Sequence, residues 1–438
     1  MSQQFFGSRS RRAKGLAAAC AVAMTCVRGV GTTSQETDVR PNQVLEWNQI
    51  FVDTLVITNT ANSSSQRLGA IVHTAIFDAY NGIERRYEPI FVHGHAPRGA
   101  SRRAAVIAAA YTTLAKLFPA RQPALADMYA ASLTALSDEG EDGDGGRSRE
   151  RGVAWGTEVA EAVLAWRETD GFGIARPPFT GGAAAGQWRP TPPAFGPMSA
   201  QGLAFTVPFV VASSAQFQPP PPRGLSSATY TDDFNTVKAL GRLTGSTRTG
   251  DQPALAPFWE GNASVHWNQA ANQIARANHL SMSRANRLLA LLNLAMADTA
   301  ITTWTAKRFY GAVAGEVTWR PVTAIPLAGD DGNPDTQADP AWLPLINTPS
   351  HPEYPAGHPS LNGAAATVLL DHFDDQQVFT LTTGQQNRTY TSISAARADG
   401  NNARVWGGMH YPSTVAISDA EGEAIARFVN LNAMQGRK

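Results

Sequence analysis

Helical periodicity over long stretches, with almost no strand-like alternation, most constrains what this chain can fold into. Val44 to Thr58 gathers Val44, Leu45, Ile50, Phe51, Leu55 and Val56 on one broad apolar face, the spacing of an amphipathic helix. Gln66 to Tyr80 repeats the pattern with Leu68, Ile71, Val72, Ala75, Ile76 and Ala79. Arg103 to Leu117 and Pro123 to Leu136 are Ala-rich, which favours helix. Gly152 to Arg167, Tyr230 to Leu243, Val265 to Ala277 and Ser283 to Phe309 continue the series, with Ser281 or Ser283 as N-cap of the last. Apolar stripes of this kind are buried by packing helix on helix. The predicted fold class is all-α, built from two helical bundles.

Between the bundles the composition changes. Residues 171–225 are rich in Pro and Gly, ending in Pro219 to Pro222, and such a run cannot be a long helix. Its aromatic residues, among them Phe179, Trp188, Phe205 and Phe217, predict an ordered strap rather than a free linker. The expected organisation is therefore a basic segment at 1–33, a helical bundle at 42–170, the strap at 171–225 and a second bundle at 226–438. Asp138 to Arg151 reads as an acidic, Gly-rich surface loop. It lacks the bidentate Glu of a calcium loop.

Arg9, Arg11, Arg12 and Lys14 precede a short apolar run from Leu16 to Val27, the layout of an export signal and too short to span a bilayer. The chain is expected to be periplasmic or secreted. Ala17-Ala18-Ala19-Cys20 is a loose lipobox, which offers lipid anchoring as an alternative. Both cysteines, Cys20 and Cys26, lie in that segment, so neither disulfides nor a thiol nucleophile is expected in a processed chain. Lys plus Arg equals Asp plus Glu at 36 each, which points away from nucleic acid as a partner. Leu288 to Ala297 reads as a core helix, and no transmembrane segment is expected.

The last third carries the chemistry. Lys307 lies ahead of Trp319-Arg320-Pro321; His351-Pro352-Glu353-Tyr354-Pro355-Ala356-Gly357-His358 follows, then Arg404-Val405-Trp406-Gly407-Gly408-Met409-His410. Arg presents a planar fork to two oxygens, and Lys a compact charge. Gly357-His358-Pro359 opens the apolar run Leu361 to Leu370. A helix starting there aims backbone N–H groups and its positive dipole end at an anion. Together these residues suit a small tetrahedral or trigonal-bipyramidal oxyanion.

The ordered set resembles the split signature of the vanadium-dependent haloperoxidases and their relatives, the type-2 phosphatidic acid phosphatases. That signature is a Lys, then Arg-Pro, then Pro-Ser-Gly-His, then Arg with a His six residues on. Asp232-Asp233-Phe234, Thr247-Arg248-Thr249-Gly250-Asp251-Gln252, Ala297-Asp298-Thr299-Ala300-Ile301 and Trp47-Asn48 extend the likeness. The resemblance implies vanadate as cofactor, bound by Lys307, Arg320, Gly357 and Arg404, with His410 on the metal and His358 as acid/base. Trp304 and His351 would flank the halide; His351 stands where seaweed bromoperoxidases carry His, which favours bromide. The implied reaction oxidises halide with hydrogen peroxide to hypohalous acid, which reacts with a small organic acceptor. A homodimer is compatible with it.

Three departures accompany the likeness. Twelve residues separate Lys307 from Arg320 where the signature has six, so an insertion around Gly311 to Val317 is expected. Ala356 replaces the signature's Ser. Thr414 stands four after His410, where the phosphatases carry an Asp that orients the histidine. The last departure speaks against the first alternative, a soluble acid phosphatase working through a phosphohistidine. A phosphate- or vanadate-binding relative without chemistry is the second. The membrane-type phosphatases carry several transmembrane helices, unlike this chain.

Overall fold

Thirteen α-helices and one hairpin make up the regular structure of the computed structural model, which describes residues 42–136 and 145–437. The expected export signal, both cysteines and residues 138–144 of the acidic stretch lie outside the described residues. In chain order the helices are α1 (Gln43–Ile57), α2 (Asn62–Glu84), α3 (Arg102–Leu117), α4 (Gln122–Ala135), α5 (Gly145–Glu168), α6 (Ala228–Leu240) and α7 (Gln252–Phe258). Then come α8 (Ala263–Ala277), α9 (Met282–Tyr310), α10 (Pro321–Ala324), α11 (Gly357–Leu370), α12 (Ile393–Trp406) and α13 (Pro412–Asn432). The all-α expectation holds.

The central element is α9. Ser281 caps it, its hydroxyl accepting from Arg284 N, and its Leu/Ala run is buried on every side. This helix is long and apolar enough to cross a membrane by length and composition, but 94% of that window is covered by the rest of the protein. A helix apolar all round belongs in a core. Both helical groups pack on it: α2 from the N-terminal side, α11 and α13 from the C-terminal side. One apolar cluster runs from Val44 on α1 through Leu289 on α9 to Val429 on α13.

Two local expectations are corrected. The helix read as starting at Gly152 already begins at Gly145, so the loop is shorter than the Gly-rich composition implied. The chain also contains an antiparallel hairpin, β1 (Phe379–Thr383) and β2 (Gln386–Tyr390), in register Phe379↔Tyr390 to Thr383↔Gln386. Gly384 sits at its tip with φ +58°, suiting a two-residue hairpin turn. Strands of five residues offer too little alternation to stand out. The hairpin docks on α8, where Gln273 Nε2 donates to Thr380 O and Gln269 Oε1 accepts from Thr382 N.

Residues 169–227 hold no α-helix or strand, only a 3-10 turn at Gln201–Phe205. They lie packed on the helices. Asp298 of α9 accepts from the N–H groups of Phe209, Val210 and Val211, and Trp188 is fully buried. The insertion after α9 makes an excursion onto the same segment: Val317 N donates to Arg223 O, and Thr318 N to Gly186 O. These residues lie outside the helix, and Lys307 is on the last turns of α9.

Candidate functional site

Several chain segments meet at one cavity of about 230 Å³, lined among others by Trp304, His351, Gly357, His358, Arg404 and His410. Trp304 comes from α9, His351 from the loop before α11, Gly357 and His358 from the first turn of α11, and Arg404 from the last turn of α12. His410 sits just ahead of α13. Six of the eight residues singled out from the sequence line this cavity.

Gly357 opens α11, so its N–H and that of His358 lack an acceptor four residues back within the helix. A Cβ at Gly357 would lie 3.2 Å from the Trp304 ring, so any larger residue there would have to push the helix start or the indole aside by a few tenths of an ångström. At the other wall, Gly408 has φ +77° and a Cβ there would sit 2.6 Å from Gly241 O. That tight turn carries the chain from Arg404 to His410.

Arg404 lines the cavity and has a donor left over. It is 2% exposed. One terminal nitrogen donates to Trp259 O at 3.1 Å, the other approaches Met409 Sδ at 3.4 Å, and Nε is buried without a partner. Burial lowers its pKa to about 10, so it stays charged at neutral pH. A buried guanidinium is costly unless its donors are met, and an anion in the cavity would meet them.

Arg320 is fully buried and differently occupied. Nε donates to His351 O at 2.9 Å, Nη2 to His351 Nδ1 at 2.8 Å, and Nη1 to Met409 O at 2.8 Å and His410 Nε2 at 2.9 Å. Burial pushes its pKa to about 9. Because a guanidinium only donates, His410 Nε2 and His351 Nδ1 must be acceptors. Both imidazoles are held well below their ordinary pKa, by burial first and then by Lys307, Arg320 and, at His410, Arg404. His410 therefore keeps a lone pair on Nε2, and His351 carries its N–H on Nε2. The rings of Trp304 and His351 lie 5.2 Å apart.

His358 sits at the partly exposed rim, its Nε2 3.2 Å from Gly261 O and 3.4 Å from Asn62 Nδ2. Burial and the Arg404 charge hold it neutral. Its place within reach of solvent suits proton exchange.

Lys307 does not line the cavity. Its ammonium is fully buried and donates to Pro352 O at 2.6 Å, to Glu353 O at 3.3 Å and to Pro355 O. Ala356 is also fully buried, its N–H donating to Ser418 Oγ at 2.7 Å.

Sequence reasoning passed over Glu353, although it lies inside the quoted motif. Its carboxylate is 0% exposed. Oε1 accepts from His410 Nδ1 at 3.0 Å and Tyr411 N at 3.1 Å, and Oε2 from Thr414 Oγ1 at 3.1 Å. Burial raises its pKa to about 7 against the pull of Arg320. The histidine that was expected to lack a carboxylate partner has one, because the acid comes from the loop before α11 instead of from position 414. Asn62, Ser63, Ser199, Glu260 and Asn347 complete the rim; no spacing in the sequence joins them.

Residues 287–436 match the family model of the VCPO second helical-bundle domain. The fold is similar to that of a bacterial vanadium-dependent iodoperoxidase, with TM-score 0.77 and 23% identity over 91% of this chain and 98% of that one. It is also similar to holo- and apo-type structures of a bacterial vanadium-dependent chloroperoxidase, with TM-scores 0.65 and 0.64 and 18% identity over 84% of this chain. These cover 91% and 92% of those chains. No curated protein matches. The likeness to the vanadium haloperoxidases is met by a family model over the last third and by the fold over most of the chain.

Proposed function

We propose that this protein is a vanadate-dependent haloperoxidase that oxidises halide, bromide in preference, with hydrogen peroxide to hypohalous acid. The observation that carries this reading is Arg404. A fully buried guanidinium with an unmet Nε faces a cavity that is also lined by the first turn of α11 and by His410, whose Nε2 accepts from Arg320. These groups fit a tetrahedral oxyanion. No carboxylate or thiolate cage for a divalent cation stands among the described residues.

Vanadate held there supplies a Lewis-acid centre at which peroxide is activated toward halide. Around it, Arg404 and the α11 N–H groups neutralise oxyanion charge. His410 would hold the metal through Nε2, the nitrogen that here accepts from Arg320. His358, at the rim, takes and returns the proton of the incoming peroxide. His351 Nε2–H and the Trp304 edge form the halide-facing wall. The similar solved structures, of iodo- and chloroperoxidases, support haloperoxidase chemistry in general. Bromide preference rests on His351.

A phosphomonoesterase is the second reading. Glu353 at 3.0 Å from His410 Nδ1 supplies the carboxylate that a nucleophilic histidine needs. One experiment separates the two: bromination of a phenol dye with peroxide and bromide, with and without orthovanadate, beside hydrolysis of p-nitrophenyl phosphate by vanadium-free protein. Vanadate-dependent bromination that phosphate competes away is expected; hydrolysis alone selects the phosphatase. Export is part of the proposal and is read by fractionating cells that express the full chain.

A further inference from the structure

Lys307 and Arg320 grip the same short loop from two sides. Lys307 directs its ammonium at the carbonyls of Pro352, Glu353 and Pro355. Arg320 holds the carbonyl of His351 through Nε. An ammonium has three hydrogens, and three carbonyls surround this one. Its donors are occupied by backbone inside the protein, and its place is behind the cavity wall. The residue between these anchors is Glu353, whose carboxylate points the other way, at His410 Nδ1, Tyr411 N and Thr414 Oγ1.

The consequence for His410 is geometric. A carboxylate accepts, so the ring proton sits on Nδ1. Arg320 donates to Nε2 at 2.9 Å, which requires the lone pair there. Both neighbours select one tautomer and one ring orientation. Thr414, at the position where the signature's phosphatases carry Asp, has become a donor to the same carboxylate.

We propose that Glu353 is the positioning residue of His410, doing from the α11 loop what an Asp at 414 does elsewhere, and that Lys307 fixes that loop rather than contacting the oxyanion. The proposal deepens the oxyanion reading and rests on it only for its affinity arm.

The test uses the full chain with 15N-labelled histidine. Long-range 1H–15N spectra of the vanadate-free protein report the tautomer of His410, and equilibrium dialysis reports orthovanadate affinity. The wild type should show the proton on Nδ1. Glu353→Ala should mix the tautomers and weaken vanadate by roughly 10–100-fold, the usual cost of losing a group that orients a metal-bound histidine. Adding Thr414→Asp to Glu353→Ala should restore the Nδ1 tautomer and most of the affinity. Should Glu353→Ala not fold, Glu353→Met fills the same volume without the charge and takes its place.

Lys307→Met should disturb the His410 signals with no oxyanion present, because the loop loses its anchor. A wild-type His410 spectrum in Lys307→Met would return Lys307 to the anion and overturn that half. Unchanged tautomer and affinity in both Glu353 variants would overturn the other half. So would a loss that Thr414→Asp leaves unrepaired, since packing alone gives that result. If the wild type binds no vanadate, the oxyanion reading fails while the ring spectra still decide the role of Glu353.

Discussion

Two buried polar regions of this protein differ in how their bonds are closed. In the first, on α2, α8 and α9, two carboxylates and one amide pair are closed by donors from within the protein. Asp298 takes three successive N–H groups from residues 209–211, and Asp78 takes three from residues 90–92. Asn268 and Asn293 exchange amide bonds at 3.1 and 2.9 Å. In the second, the cavity, Arg404 Nε has no partner, the first turn of α11 forms part of the lining, and Arg320 leans on an imidazole. Burial alone therefore does not mark function. The first region holds irregular chain onto helices; the second has donors in excess of acceptors and a path to solvent, which is what a bound anion requires.

The comparison breaks most sharply at Asp298. Asp298→Ala leaves the N–H groups of Phe209, Val210 and Val211 without their carboxylate acceptor. Chemical unfolding should show a loss of about 3–5 kcal/mol, the range for removing one partner from a buried charged network. A loss under about 1 kcal/mol would mean the strap is held by its apolar residues instead.

The cavity should respond the other way. His410→Ala should weaken vanadate at least about a hundredfold, near 2.7 kcal/mol, with little change in melting temperature. His358→Ala should retain binding and lose turnover, since it moves protons and makes no bond to the metal. Vanadate dialysis beside bromination rates checks both. Two variants that bind like wild type would show that the imidazoles are not where the oxyanion sits.

Ala356→Ser is a smaller, constructive test. A hydroxyl there should tighten vanadate about tenfold, near 1.4 kcal/mol, by adding a hydrogen bond to a charged oxygen. If affinity stays constant while His410→Ala destroys it, the α11 loop is seated differently from the family signature.

The smallest effect expected is on acid stability. Burial holds His266 down at about 4 and His73 at about 3, against an ordinary value of 6.5. As pH falls, the unfolded chain takes up these protons first. Stability is full above pH 6.5 and is lost as pH drops toward 4. Between pH 7 and 5.5 each histidine costs about 1 kcal/mol. Replacing His266 by Gln should flatten the fall by that amount in urea titrations; an unchanged slope would assign the loss to other groups.

The sequence by itself determined the helical class, because the apolar period repeats over whole helices. It also picked out the cations and imidazoles, because their order is kept along the chain from Lys307 to His410. The hairpin at 379–390 escaped notice because five-residue strands carry too few repeats. The rim residues Asn62 and Ser199 escaped because their only link to His358 is spatial. Glu353 lay in plain view, yet its meaning depends on a contact 57 residues away. Tertiary structure alone decided which charges are closed by backbone and which are left open. Lys307 and Arg404 read alike as cations of one motif, but one faces three carbonyls and the other a cavity. Residue type fixes how many donors a side chain has; only the packed chain fixes what they meet.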